Sequence, residues 1–268
     1  MVLPALVVLM VVFIIPLASF FVGSLSSIGS AGDILREIGF VLTSPPVIRA
    51  TFFTLMIATT VTVACLVIAY PLAYALLSSR GFSFSFLMAS IVLPYFVSTI
   101  VRTYAWIVLL GRSGIVNQLL LQSGMSSKPL QLMYNQAAII IGMVYVLLPY
   151  MVLTLYASMK SVDDRLLRAA RSMGSSGFYT FRRVFLPLTV PGIISGSLII
   201  FILSMGFFIT PALMGGPRNV TIAMLIEREV EINLDWPLAS IVSLLLLAVT
   251  MFLYVVYYRF ARIDKMFM

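Results

Sequence analysis

Six long apolar runs, each followed by a short polar stretch, repeat along the chain. They cover roughly residues 1–22, 51–77, 84–110, 134–158, 184–213 and 238–258. Each reaches the ~20 residues that a helix needs to cross a bilayer. None alternates apolar with polar positions as a membrane barrel strand does. The pattern therefore predicts an all-α integral membrane protein with six transmembrane helices. The first run, within residues 1–25, is too long for the apolar part of a signal peptide and has no basic flank. It is expected to be a retained helix with no soluble extension ahead of it. Residues 49–260 hold the other five helices as one core, so residues 1–268 are expected to form a single transmembrane domain. Residues 26–48, with Gly29, Gly32, Pro45 and Pro46, read as a loop. So do residues 111–133 and 214–236, the latter with Gly215, Gly216 and Pro217.

Composition agrees with lipid as the solvent. Of 268 residues, 62% are hydrophobic and 10% charged, against about a quarter charged in soluble domains. The single cysteine, Cys65, rules out an internal disulfide framework. The absence of histidine removes the commonest general base and metal ligand. No metal site is expected. A net charge of +8 raises the question of nucleic acid, but in a membrane chain it reads as basic loops facing anionic lipid.

The basic residues also give an orientation. One set of loops collects Arg80, Lys160, Arg165, Arg168, Arg171, Arg182, Arg183, Arg259, Arg262 and Lys265, ten in all, against the three acids Asp163, Asp164 and Asp264. The other set has seven basic residues against six acids. By the positive-inside rule the first set is cytoplasmic, and both termini are expected there.

Residues 163–178 form the most charged stretch. At 100° per residue, Leu166, Leu167, Ala169, Ala170, Met173 and Gly174 share one arc, and Arg165, Arg168, Arg171, Ser172 and Ser175 the opposite one. Ser161 and Asp164 have capping-box spacing ahead of it. Gly174 and Gly177 are expected to end the helix. The spacing predicts a short amphipathic helix on the cytoplasmic face between the fourth and fifth spans. Such a helix either rests on lipid headgroups or docks in a protein groove, which the small centre Ala169, Ala170 and Gly174 suits.

This stretch resembles the cytoplasmic motif of type I ATP-binding-cassette importer permeases: Glu-Ala-Ala, three residues, Gly, nine residues, then an aliphatic, any residue and Leu-Pro. Here the chain reads Arg168-Ala169-Ala170, Gly174 and Val184-Phe185-Leu186-Pro187, with the same spacing. Arg168 stands where the family has glutamate. Tyr70-Pro71-Leu72-Ala73-Tyr74, Leu93-Pro94, Arg102-Thr103-Tyr104-Ala105-Trp106, Gly114-Ile115-Val116-Asn117, residues 211–217 and Asp235-Trp236-Pro237 are similar to the spermidine/putrescine permease group. The similarity covers roughly residues 45–260.

The resemblance implies a permease in a bacterial inner membrane that forms half of a translocation pathway with a second permease. It implies two ATPase subunits on the cytoplasmic helices, and an external solute-binding protein that delivers a polyamine or another small organic solute. Arg168, Ala169, Ala170, Gly174, Leu186 and Pro187 are then the coupling residues. The chain has no phosphate-loop motif, so ATP is expected to be used by partner subunits, with no cofactor bound here.

Inside the membrane, the second to sixth runs hold no acid, and Arg102 is the one clear charge. It either lines the pathway or snorkels to the interface. A polycation would meet aromatic faces instead: Tyr70, Tyr74, Tyr95, Tyr104, Trp106, Tyr145 and Tyr150. The candidate pathway set is Tyr70, Tyr95, Arg102, Tyr104 and Trp106, with Phe207 and Phe208 as a gate where Gly206 and Pro211 break the fifth helix. An ion-driven carrier or channel is the alternative class. It usually shows intramembrane acids or inverted repeats, and neither is present.

Overall fold

The computed structural model describes residues 7, 8 and 10–260. The expected cytoplasmic placement of both termini, and the tail residues Arg262, Asp264 and Lys265, lie outside the described residues. Every regular element among those described is helical. The α-helices are α1 (Ile15–Ser26), α2 (Ala31–Thr43), α3 (Pro45–Ser78), α4 (Gly81–Val92), α5 (Thr99–Leu110), α6 (Ile115–Gln122), α7 (Gln136–Lys160), α8 (Asp164–Ser172), α9 (Gly177–Thr180), α10 (Leu186–Met205), α11 (Ile209–Met214), α12 (Ile222–Glu231) and α13 (Trp236–Phe260). Single wider π turns precede α1 and α10, and a 3-10 turn, Leu93–Phe96, follows α4.

Five helical stretches among the described residues are long and apolar enough to cross a membrane: Pro45–Ser78, Thr99–Gln122 (α5 and α6 across a short turn), Gln136–Lys160, Gly177–Met205 and Trp236–Tyr257. Met10–Ser26 and Ala31–Thr43 make a sixth only as a pair, bent by 96°. The expected loop at residues 26–48 is therefore largely helix α2. Its start is a capping box: Ser30 Oγ accepts from Asp33 N, and the Asp33 carboxylate accepts from Ser30 N. Ile38 and Val41 then pack against Val47, Ile222 and Ile241. The other two expected loops also hold short helices, α6 and α12, each covering part of the core with one apolar side.

The centre is a three-helix unit of α3, α7 and α10, which pack on one another. Cys65, Ala69 and Ala73 of α3 meet Met143, Leu147 and Met151 of α7 and Ile200 of α10 in one buried cluster. Close approach depends on small residues. A Cβ on Gly192 would run into the Ser158 side chain, and one on Gly196 would lie 2.7 Å from Met151 Sδ. Pro71, Pro149 and Pro191 sit inside these helices without ending them. Within a bundle, neighbours re-satisfy the freed backbone groups.

The third run does not form the single expected helix. After α3, Gly81 turns the chain with φ +56°, a conformation that glycine adopts without strain. Helix α4 then tightens at Leu93–Phe96, and Val97 and Ser98 are extended before α5 begins. Pro94 has no N–H to continue the α ladder. Pro94 is half-buried, whereas Pro71 and Pro191 are exposed and Pro149 is buried. Phe82, Phe96 and Val101 are all exposed.

Candidate functional site

Two groups of residues carry chemistry beyond packing. The first is the charged segment after α7. Helix α8 begins at Asp163, whose carboxylate accepts from Arg165 N at 2.8 Å. This replaces the expected Ser161–Asp164 capping box: Ser161 Oγ instead donates to Ser158 O and finishes α7. The far end is a Schellman motif, with Ser175 N donating to Ala170 O and Gly174 N to Arg171 O. Gly174 has φ +85° and open space around it. Its role within this chain is thus backbone conformation at the end of the helix, as its position suggested.

The apolar arc of α8 divides. Ala170 is buried and Leu167 half-buried against the membrane core. Leu166 (49% exposed), Ala169 and Met173 (82% exposed) form an uncovered stripe at spacings of three and four. Arg165, Arg168 and Arg171 are exposed beside it. A cavity of about 190 Å³, bounded by Asp164, Leu167, Arg171 and Tyr74, separates α8 from the core. Val184 and Phe185 lie in the π turn, and Leu186 and Pro187 open α10. Pro187 occupies a first-turn position, where a missing N–H is harmless. Sequence reasoning missed the wedge that joins this segment to α3. Phe181 and Phe185 stack at 5.8 Å, and both meet Tyr74 edge-on. Tyr70 touches Phe181, and its hydroxyl bonds Thr189 Oγ1 at 3.0 Å. The four-residue spacing of the two phenylalanines was the available signal.

The second group lies around the break in the third span. Arg102 is 7% exposed. One nitrogen, Nη2, donates to Thr99 Oγ1 at 3.1 Å, while Nε and Nη1 are buried without a partner. Snorkelling to water is therefore not its state. The Tyr150 hydroxyl donates to the Tyr95 hydroxyl at 3.1 Å, joining α7 to the 3-10 turn after α4. Trp106 meets Tyr145 edge-on at 5.6 Å. Of the expected pathway set, Tyr95, Arg102 and Trp106 thus sit along one segment facing α7. Tyr104 is exposed on the other side of α5. Tyr70 belongs to the aromatic wedge instead. Phe207 and Phe208 fall at the break between α10 and α11, as expected, and both are half-buried. A Thr103–Thr210 hydroxyl pair at 3.3 Å ties α5 to α11, and no sequence signal marked it.

Five apolar spans with a bent sixth segment, and one amphipathic helix set outside them on a charged segment, define a multi-pass transport permease. Residues 38–263 match the family described as binding-protein-dependent transport system inner membrane component, and the chain belongs to that family. It is 39% identical to the spermidine/putrescine transport system permease protein PotB of Haemophilus influenzae, over 74% of this chain and 69% of that one. Its fold is similar to a crystal structure of a bacterial ABC transporter involved in the import of the acidic polysaccharide alginate (TM-score 0.72, 17% identity, 98% of this chain and 93% of that one). It is also similar to that of the MetNI methionine ABC transporter (TM-score 0.64, 17% identity, 82% of this chain and 98% of that one). The chain is a permease subunit of an ATP-driven importer in the inner membrane, a transport component and not an enzyme.

Proposed function

We propose that this permease forms half of the pathway for a polyamine or a similar small organic cation, beside a second permease. Two ATPase subunits dock on α8 and hydrolyse ATP, and an external binding protein delivers the solute. Both termini and α8 are cytoplasmic. The observation that carries this reading is the uncovered stripe Leu166, Ala169 and Met173. A helix face of this kind, capped at both ends and bound to its own core by the opposite edge, suits a groove on a protein. Arg168, Ala169, Ala170 and Gly174 form the docking helix, and Leu186 and Pro187 start the span that receives its motion. The polyamine reading rests on the sequence similarity to the PotB protein. Tyr95, Trp106 and Tyr145 offer ring faces to a cation, with Arg102 beside them, and Phe207 and Phe208 close the path.

Ala169→Trp tests the docking. Ala169 is exposed in the chain itself, so insertion and folding stay intact while the ATPase subunits no longer co-purify. Wild-type recovery of the ATPase, with transport, would overturn the assignment of α8. Cargo is tested by thermal shift of the cognate binding protein. Spermidine or putrescine should raise its melting temperature, and a response only to uncharged or anionic solutes would refute the polyamine reading. Orientation is tested with cysteine placed at Ser176 or Asn219. The first should react only with membrane-permeant thiol reagents, and the second also with impermeant ones.

A further inference from the structure

Arg49, in the first turns of α3, Arg218, in the loop after α11, and Arg228, on α12, border one pocket of about 450 Å³. Ala50 and Leu225 form its buried floor and Pro217 part of its rim. No carboxylate lines it, and none of the three arginines is in an ion pair among the described residues. Three elements distant in sequence bring these cations together, and they are held firmly. Thr54 Oγ1, buried in α3, accepts from Ile222 N at 2.9 Å. Val47, Ala50, Ile222 and Leu225 share one buried cluster. Asn219 closes the loop that carries Arg218, donating its N–H to Gly216 O and accepting from Gly216 N. Three guanidiniums around one hollow repel each other, and no carboxylate lines the hollow to pair with them. Arginine offers paired donors that match a carboxylate.

We infer that this pocket is the seat for aspartate or glutamate side chains of the external solute-binding protein. The inference rests on the proposed orientation, which puts α12 and the start of α3 outside. A lipid phosphate would satisfy the same donors. However, Glu227, Glu229 and Glu231 stand on α12 itself, with Asp235 just beyond. A layer of anionic headgroups is repelled by that helix, whereas a protein surface of patterned charge fits both the basic pocket and its acidic border. The pocket thereby sets the position in which the binding protein lands and speeds its arrival at low salt.

The complete importer, in nanodiscs of zwitterionic phosphatidylcholine, is titrated with fluorescently labelled cognate binding protein at about 50 and about 300 mM NaCl. Affinity should fall with salt. The triple variant Arg49→Gln, Arg218→Gln, Arg228→Gln should bind about tenfold more weakly or worse, with basal ATP hydrolysis unchanged as the folding control. In a second arm, Arg218→Lys treated with carbodiimide should form an amide to an acidic residue of the binding protein. Wild-type affinity in the triple variant, with no carbodiimide adduct, overturns the inference. So does an effect of the triple variant seen only when anionic lipid is added, which would make the pocket a lipid site. If the wild-type importer binds no binding protein at either salt concentration, the reading beneath the inference fails as well.

Discussion

The unit of α3, α7 and α10 and the broken span around Arg102 belong to one membrane domain, yet they are built on opposite principles. In the three-helix unit, glycines and alanines let backbones close up, prolines are absorbed, and polar hydroxyls find partners such as Tyr70–Thr189. In the third span, a proline breaks the helix, aromatic side chains stay uncovered, and a buried arginine keeps two nitrogens unpaired. Irregular backbone at membrane depth is stable where protein or a water-filled path covers it. The first region is a frame complete within this chain. The second is left incomplete within this chain.

The largest expected effect comes from attacking the frame. Gly192→Leu drives a side chain into Ser158 and should destabilise the protein by about 3 kcal/mol, read as a large drop in melting temperature in detergent. A near-wild-type melt would mean that α7 and α10 are not rigidly joined. The third span should respond with the opposite sign. Arg102→Met removes an incompletely paired buried cation while keeping its length. It should raise stability by about 1–3 kcal/mol while import falls. Loss of both stability and import would show that Arg102 is a structural partner, which would dissolve the contrast.

Much of the domain was legible because lipid imposes a length and an apolarity on every span. Four of the six runs appear close to their expected positions, in α3, α7, α10 and α13. Helix α8 was legible from its arc and glycines. The rest was hidden for identifiable reasons. Helix α2 escaped because its glycines and flanking prolines resemble a loop, while the Ser30–Asp33 box that starts it is short. The break at Pro94 escaped because proline at membrane depth has two outcomes. Pro71, Pro149 and Pro191 show one and Pro94 the other, and burial does not separate them, since Pro71 and Pro191 are exposed and Pro94 is half-buried. The apolar arc of α8 was legible but not its division, since which edge meets the core depends on Phe181 and Phe185 across the turn. The basic pocket was invisible because Arg49, Arg218 and Arg228 lie on three separate segments.

Two smaller predictions sharpen the comparison. Asp163→Ala should loosen the start of α8 by about 1 kcal/mol, read as faster hydrogen exchange confined to residues 164–172, whereas Ser161→Ala should leave that exchange unchanged. Equal effects would restore Ser161 as the cap. The smallest effect is in the tyrosine pairs. Tyr70→Phe removes the bond to Thr189 inside the frame and should lower stability by about 0.6 kcal/mol. Tyr95→Phe, in the half-exposed third span, should change the melt less than that and alter transport more. The reverse order would place Tyr95 in the frame.

The π turn at Phe181–Phe185 has a consequence for how α8 is aimed. One residue more than a regular α-helix needs is wound into that turn. Each residue of a helix advances the direction of its side chains by about 100°, so the extra one acts as a fixed angular offset between the membrane shaft and the cytoplasmic segment. The two phenylalanines engage Tyr74 like teeth at that setting. Removing a single residue there would hardly shorten the chain, but it would turn the uncovered stripe of α8 through more than a quarter circle.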